Sequence, residues 1–210
     1  MWLAILACLF VGVFSAEFTL PGECPNMKLL ENFNPTKFSG VWYNVASYAS
    51  DSRRINDCAT FDFQEDNLGF TMKETFIEEK EGNRTLKSYL ARVDPTFDAG
   101  NSGRFIVSYE GGDKVLQFPF SILASDYENY AIAYTCKTLK KRIRTHYAYV
   151  WILSRRKEKL AGASLTTVEN ALAQYPELTE HRNSFVFKDF SETSCAYTKK
   201  LTEFFTDNFW

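Results

Sequence analysis

The sequence predicts an all-β fold with one helix packed outside it. Eight short runs between Gly40 and Ser154 are rich in aromatic and β-branched residues, a composition that suits a pleated, half-buried surface. Between them stand EDNLG, EGN, DPTFDAGNSG, GGD and SDYEN, which supply the Gly, Asn, Asp and Pro that chain reversals need. After Arg155 the apolar period changes once, from that of strands to that of a helix. Strand spacing of this kind fits a meander, a sandwich or a closed barrel.

The chain opens on MWLAILACLFVGVFSA, an apolar run too short to cross a bilayer and ending in small residues. It reads as a secretory signal peptide over residues 1–16, cleaved after Ser15 or Ala16, which places the mature protein outside the cell. Removing it takes Cys8 away and leaves Cys24, Cys58, Cys136 and Cys195. An even set in a secreted chain suggests two disulfides, with three pairings open. No two of these cysteines are close enough for a CxxC redox or zinc motif, and no metal site is expected. One domain is expected over residues 17–198, followed by an aromatic tail at 199–210.

The strand candidates, in order, are VWYNVASYA, CATFDFQ, FTMKETFIE, TLKSYLARV, RFIVSYE, VLQFPFSILA, YAIAYTC and HYAYVWILS. NRT at Asn83 is a glycosylation sequon in a turn, whereas Pro35 disqualifies Asn34. LKKRIR, residues 139–144, reads as a solvated turn between the last two strands. In SLTTVENALAQYPEL, Leu165, Val168, Ala171 and Leu172 recur at helical spacing; Ser164 or Thr166 is the expected cap, and Pro176 lies past the end. SFVFKDF follows as a last short strand. In the tail, Leu201, Phe204 and Phe205 would share one face of a short helix, giving either a frayed terminus or an apolar patch for a partner, a membrane or a second copy. With 24 basic and 26 acidic residues well mixed, nothing points to nucleic acid.

Closing eight strands around a cavity needs a bend in the first and a plug at one end. Gly40 supplies backbone freedom, Trp42 a plate large enough to seal a floor, and Arg155, just after the eighth strand, a guanidinium to stack on the indole. These residues carry a resemblance. GVWY is similar to the G-x-W motif of the lipocalins, SDYENYAI with Asp126 and Tyr130 to their second motif, and LSR with Arg155 to their third. Within that family, CPNMKLLENFNPTKFSGVWY, VWILSR, VENAL and DFSETSC look like segments of insect bilin-binding proteins, insecticyanins and apolipoprotein D. The tail beyond Cys195 is longer and more aromatic than the family pattern. The resemblance implies an eight-stranded antiparallel up-and-down β-barrel with one C-terminal helix outside and a short last strand. It implies Cys24–Cys136 and Cys58–Cys195 as the disulfides, and architectural roles for Gly40, Trp42, Asp126, Tyr130 and Arg155.

Nineteen Phe, eleven Tyr and four Trp exceed what one floor needs, so the surplus can line a cavity suited to a flat conjugated or lipid-like molecule. In FTMKETFIE neither face is cleanly apolar. The resemblance turns Glu74 and Phe76 inward, together with Tyr89 and Phe118. It also places His146 against a tetrapyrrole lactam or propionate, with Arg144 on the same side to pair a propionate; His181 reads as a surface loop residue. The implied function is a secreted carrier, not an enzyme, that binds a bilin such as biliverdin with no cofactor required. The broader version carries a fatty acid, retinoid, carotenoid or other lipid. A haem-binding variant would use His146, and an isomerase of this family would need a free thiol.

Overall fold

The computed structural model describes residues 19–49, 57–66, 69–95, 101–111, 114–139 and 143–202. The leader at 1–16, the tail from 203 onward with Phe204, Phe205, Phe209 and Trp210, and residues 140–142 of the basic turn lie outside the described residues. In chain order the elements are β1 Leu20–Pro21, α1 Pro35–Phe38, β2 Gly40–Ala49, β3 Asp57–Asp66, β4 Gly69–Lys80, β5 Asn83–Pro95, β6 Arg104–Gly111, β7 Lys114–Ser125, β8 Tyr130–Leu139 and β9 Thr145–Ser154. Then come α2 Gly162–Leu172, α3 Pro176–Thr179, a 3-10 turn at Arg182–Ser184, β10 Val186–Phe187 and β11 Lys199–Thr202.

Each strand from β2 to β9 pairs antiparallel with the next, and β9 returns to β2 from Tyr43 opposite Ser154 to Ala49 opposite Tyr149. The sheet is therefore a closed eight-stranded barrel, with side chains alternating between an interior and an outer face. Trp42, Phe61, Phe63, Met72, Tyr89, Val107, Tyr109, Phe120 and Leu153 belong to the interior cluster. A second cluster forms outside, where Val45, Tyr48, Ile132, Val150 and Ile152 meet Val168 and Ala171 of α2 and Leu178 of α3. One helix face covers one patch of barrel wall.

Register explains how β2 serves both cores. Asn44 lies opposite Leu153, but Ala46 lies opposite Ile152, so Val45 is an extra residue in β2. This β-bulge switches the alternation. Trp42, Asn44 and Ser47 share the interior side with Leu153 and Trp151, while Val45, Ala46 and Tyr48 face the outer cluster.

At the mouth, neighbouring strands diverge and short segments occupy the free edges. β1 pairs β9 at Thr145 and His146, β10 pairs β2 at Ala46 and Ser47, and β11 runs parallel to β5 from Thr85 to Ser88. The two disulfides hold these additions: Cys24–Cys136 ties the N-terminal segment to β8, and Cys58–Cys195 ties the C-terminal segment to β3. Arg84 reinforces the second, donating to the carbonyls of Ala196 at 3.0 Å and Ser194 at 2.5 Å.

Two local expectations are corrected. The helix begins at Gly162 with Ala161 as N-cap and no side-chain cap; Ser164 and Thr166 lie inside it, and the Thr166 hydroxyl donates back to the Gly162 carbonyl at 3.2 Å. The short strand expected in SFVFKDF is present at Val186–Phe187. Leu201 is extended in β11 rather than helical, because the open upper edge of β5 offers backbone partners that an isolated helical turn lacks.

The Cys58–Cys195 bridge spans 137 residues. Replacing both cysteines by alanine is expected to lower unfolding free energy by roughly 2–5 kcal/mol, read from the urea midpoint under non-reducing conditions.

Candidate ligand-binding site

The closed end is built first. Gly40 has φ +96°, and a Cβ there would stand 3.2 Å from a guanidinium nitrogen of Arg155. Only glycine accepts that backbone without strain and leaves room for the guanidinium. The guanidinium carbon of Arg155 lies 3.8 Å from the centroid of Trp42. Its nitrogens donate to the carbonyls of Lys37 at 3.0 Å, Tyr127 at 3.1 Å, and Val41 and Phe38 at 3.2 Å. Trp42 Nε1 donates to Phe38 O at 2.8 Å, and Phe38 stacks on the indole with centroids 4.9 Å apart. Burial lowers the Arg155 guanidinium from its ordinary value, and the Asp126 charge opposes that. Asp126 in turn fixes the β7–β8 turn: Oδ1 accepts from the amides of Glu128, Asn129 and Tyr130 at 3.1, 2.8 and 3.0 Å. Burial pushes its carboxyl up, but these bonds and that from the Asn129 side chain outweigh it and hold it below its usual range. The Tyr130 ring packs on the outer cluster, and burial raises its hydroxyl.

Above this floor the interior is a wall of rings. Phe76 and Tyr89 lie 5.6 Å apart, Tyr89 and Tyr109 meet edge-on at 6.2 Å, and Tyr109 stacks on Phe118 at 5.8 Å. Trp151 lies 6.0 Å from Phe61, 5.8 Å from Phe120 and 6.3 Å from Tyr149. The Tyr109 hydroxyl donates to Glu74 at 2.8 Å. Burial first, then the Glu74 charge, pushes that hydroxyl well above its ordinary value, so it remains a donor. Glu74, Phe76, Tyr89 and Phe118 are thus together in the interior. Lys87, opposite Phe76, joins them near the mouth, 3.8 Å from Glu78.

Arg144 and His146 are not part of this group. His146 lies five positions before the inward Trp151, an odd offset, and shares the outer side with Ala148, Val150 and Ile152. It is buried under the N-terminal segment, with Nδ1 3.2 Å from Gly22 O, while Arg144 pairs with Glu23. Both brace the β1 strap against β9; neither faces a propionate, a lactam or a haem inside the barrel. His181 is also not simply a loop residue: it stacks flat on Tyr48, centroids 5.0 Å apart. Asn83 is exposed where β5 begins.

Tyr109, Phe120, Tyr149 and Trp151 were not among the expected contacts; of these, only Phe120 alternates with a residue expected inward, Phe118 on the same strand. Nor were Asn44 and Ser47 expected. These are 3 % and 4 % exposed, and Asn44 Oδ1 and Ser47 Oγ have no hydrogen-bond partner. A buried polar atom left unpaired costs about 1–3 kcal/mol.

The lipocalin / cytosolic fatty-acid binding protein family model matches residues 39–181. The chain belongs to the lipocalin family. This lipocalin is 29% identical to the bilin-binding protein of Pieris brassicae over 196 residues, 92% of this chain and 97% of that protein. It is 28% identical to apolipoprotein D of Macaca fascicularis over 178 residues, 81% and 85% of the two. The solved structure of insecticyanin from the tobacco hornworm Manduca sexta superposes with a TM-score of 0.78 at 25% identity, covering 89% of this chain and 96% of that one. Like its relatives, this lipocalin is a binding protein and not an enzyme, a carrier of small hydrophobic ligands.

Two outcomes follow for the floor. Arg155→Ala is expected to destabilise the barrel by about 2–4 kcal/mol, since it removes a desolvated cation–π contact and a set of charged hydrogen bonds. Arg155→Lys keeps charge without the planar fork and should recover less than half of that loss. Both are read by urea unfolding. The lowered Asp126 carboxyl stabilises the fold above the unfolded value near ~3.9, and that contribution vanishes as pH falls through the folded value. Between pH 6 and pH 3 the wild type should lose more stability than Asp126→Asn.

Proposed function

We propose that this lipocalin is a secreted carrier whose cargo is a bilin such as biliverdin. The single observation that carries the reading is the interior itself. Aromatic rings line the barrel interior above an indole floor, a lining suited to a flat conjugated molecule entering from the mouth. Similarity to the bilin-binding protein supports the same cargo class. The apolar leader and the two long-range disulfides support export to an oxidising compartment. Similarity to apolipoprotein D supports the broader version, in which the cargo is a fatty acid, retinoid, carotenoid or other lipid.

Titration separates the two. Biliverdin added to the unliganded protein is expected to bind one to one with Kd at or below ~1 µM (about −8 kcal/mol), to shift its visible band, and to quench tryptophan emission through Trp151. Substituting Trp151→Phe should remove most of the quench while keeping the band shift. No visible change with biliverdin, together with stoichiometric palmitate or retinol binding, would move the cargo to the broader lipid class.

A further inference from the structure

The inner face of β2 carries two buried polar groups that the fold does not use. Above Trp42, the next inward positions of β2 are Asn44 and Ser47, and they are both inward only because Val45 is bulged out of register. In a regular strand, residues three apart face opposite ways. Cross-strand partners point to the same side, and those of Asn44 and Ser47 are Leu153 and Trp151, both in the interior cluster. Each side chain is more than nine-tenths buried, and Asn44 Oδ1 and Ser47 Oγ have no partner. The bulge thus brings two unpaired oxygens to the inner face of β2, one a step above Trp42 and one further toward the mouth, where an apolar pair would have been more stable.

Resting on the carrier reading, we infer that Asn44 and Ser47 form a polar subsite that accepts hydrogen bonds from N–H or O–H groups set along the frame of the cargo, and so select against chains whose only polar group is a terminal carboxylate. Asn44 Oδ1 is an acceptor only, and Ser47 Oγ accepts as readily as it donates. The rest of the interior has the same bias. Glu74 brings negative charge to the ring wall, and its oxygen already accepts from Tyr109. Lys87, an inward cation, stands 3.8 Å from the Glu78 carboxylate. A carboxylate head reaching this pair could take a hydrogen bond from the Ser47 hydroxyl, but it would also meet the Asn44 oxygen and the acidic Glu74. A pyrrole or lactam N–H, or a hydroxyl, meets partners. Trp151, the cross-strand partner of Ser47, is only partly buried.

The test uses the full-length protein with Asn44→Leu and Ser47→Ala, singly and together, against two probes, biliverdin and palmitate. The double variant is expected to resist urea as well as or better than the wild type, because the unpaired oxygens are gone. It should bind biliverdin at least ~10-fold more weakly while palmitate binding stays unchanged or improves. Ser47→Ala alone, too small a change to prevent folding, should weaken biliverdin a few-fold. Biliverdin affinity within twofold of wild type in the double variant overturns the subsite and leaves the carrier reading standing. Equal weakening of both probes, or a large loss of stability, overturns it too, since the groups would then serve the fold. A wild type that binds neither probe overturns the carrier reading and the subsite with it.

Discussion

The guanidinium of Arg155 lying on the face of Trp42 is the contact on which the barrel depends. A closed sheet of eight strands leaves a hole at each end, and a carrier needs one end shut. The indole shuts it, and the guanidinium covers the indole while its nitrogens take up carbonyls from α1, β2 and the β7–β8 turn. Those carbonyls come from segments far apart in sequence, so one side chain fixes the start of β2, the turn before β8 and the end of β9. Gly40 permits the approach, since any Cβ at that position crowds the guanidinium. Phe33 of the N-terminal strap, wedged between Phe38 and Phe105 with centroids 5.1 and 4.9 Å away, seals what the indole leaves open.

With the floor shut by architecture, the opposite end keeps its freedom. There the barrel strands part, and the pieces laid along their edges are short: β1, β10 and β11, each of two to four residues and two of the three flanked by a disulfide. Covalent clamps near the mouth take over the role that packing performs at the floor. His146 and Arg144 belong to this clamp. Their polar groups are spent on Gly22 and Glu23, outside the barrel.

Much of this was legible in the residues. The floor was, because a glycine, a large aromatic and an arginine in that order carry one geometric requirement. Glu74, Phe76, Tyr89 and Phe118 were legible only through the family resemblance, since on β4 neither face is cleanly apolar and alternation does not choose between them. The inversion of His146 was legible in principle: five positions from Trp151 is an odd step, and an odd step in a strand changes sides. Asn44 and Ser47 were not, because a bulge leaves no mark in the order of residues and appears only in the register against β9. Nor was β11, whose extended form depends on an edge of β5 left open by the shorter β6. The helix start was misread for a related reason: Thr166 and Thr167 satisfy their hydroxyls on the preceding turn instead of capping it.

The chemistry of the interior combines two tendencies that differ in origin. The rings make it hospitable to any flat apolar molecule, a general property of aromatic-lined cavities. The buried oxygens on β2 and the acid on β4 make it selective, at a cost in stability to the empty protein. The most direct measurement is a crystal structure of the protein with biliverdin bound. The tetrapyrrole is predicted to sit inside the barrel between Trp151 and Tyr109, its inner edge above Trp42. A chromophore bound on the outer wall or beneath α2, with the interior rings unmoved and closed on one another, would contradict it.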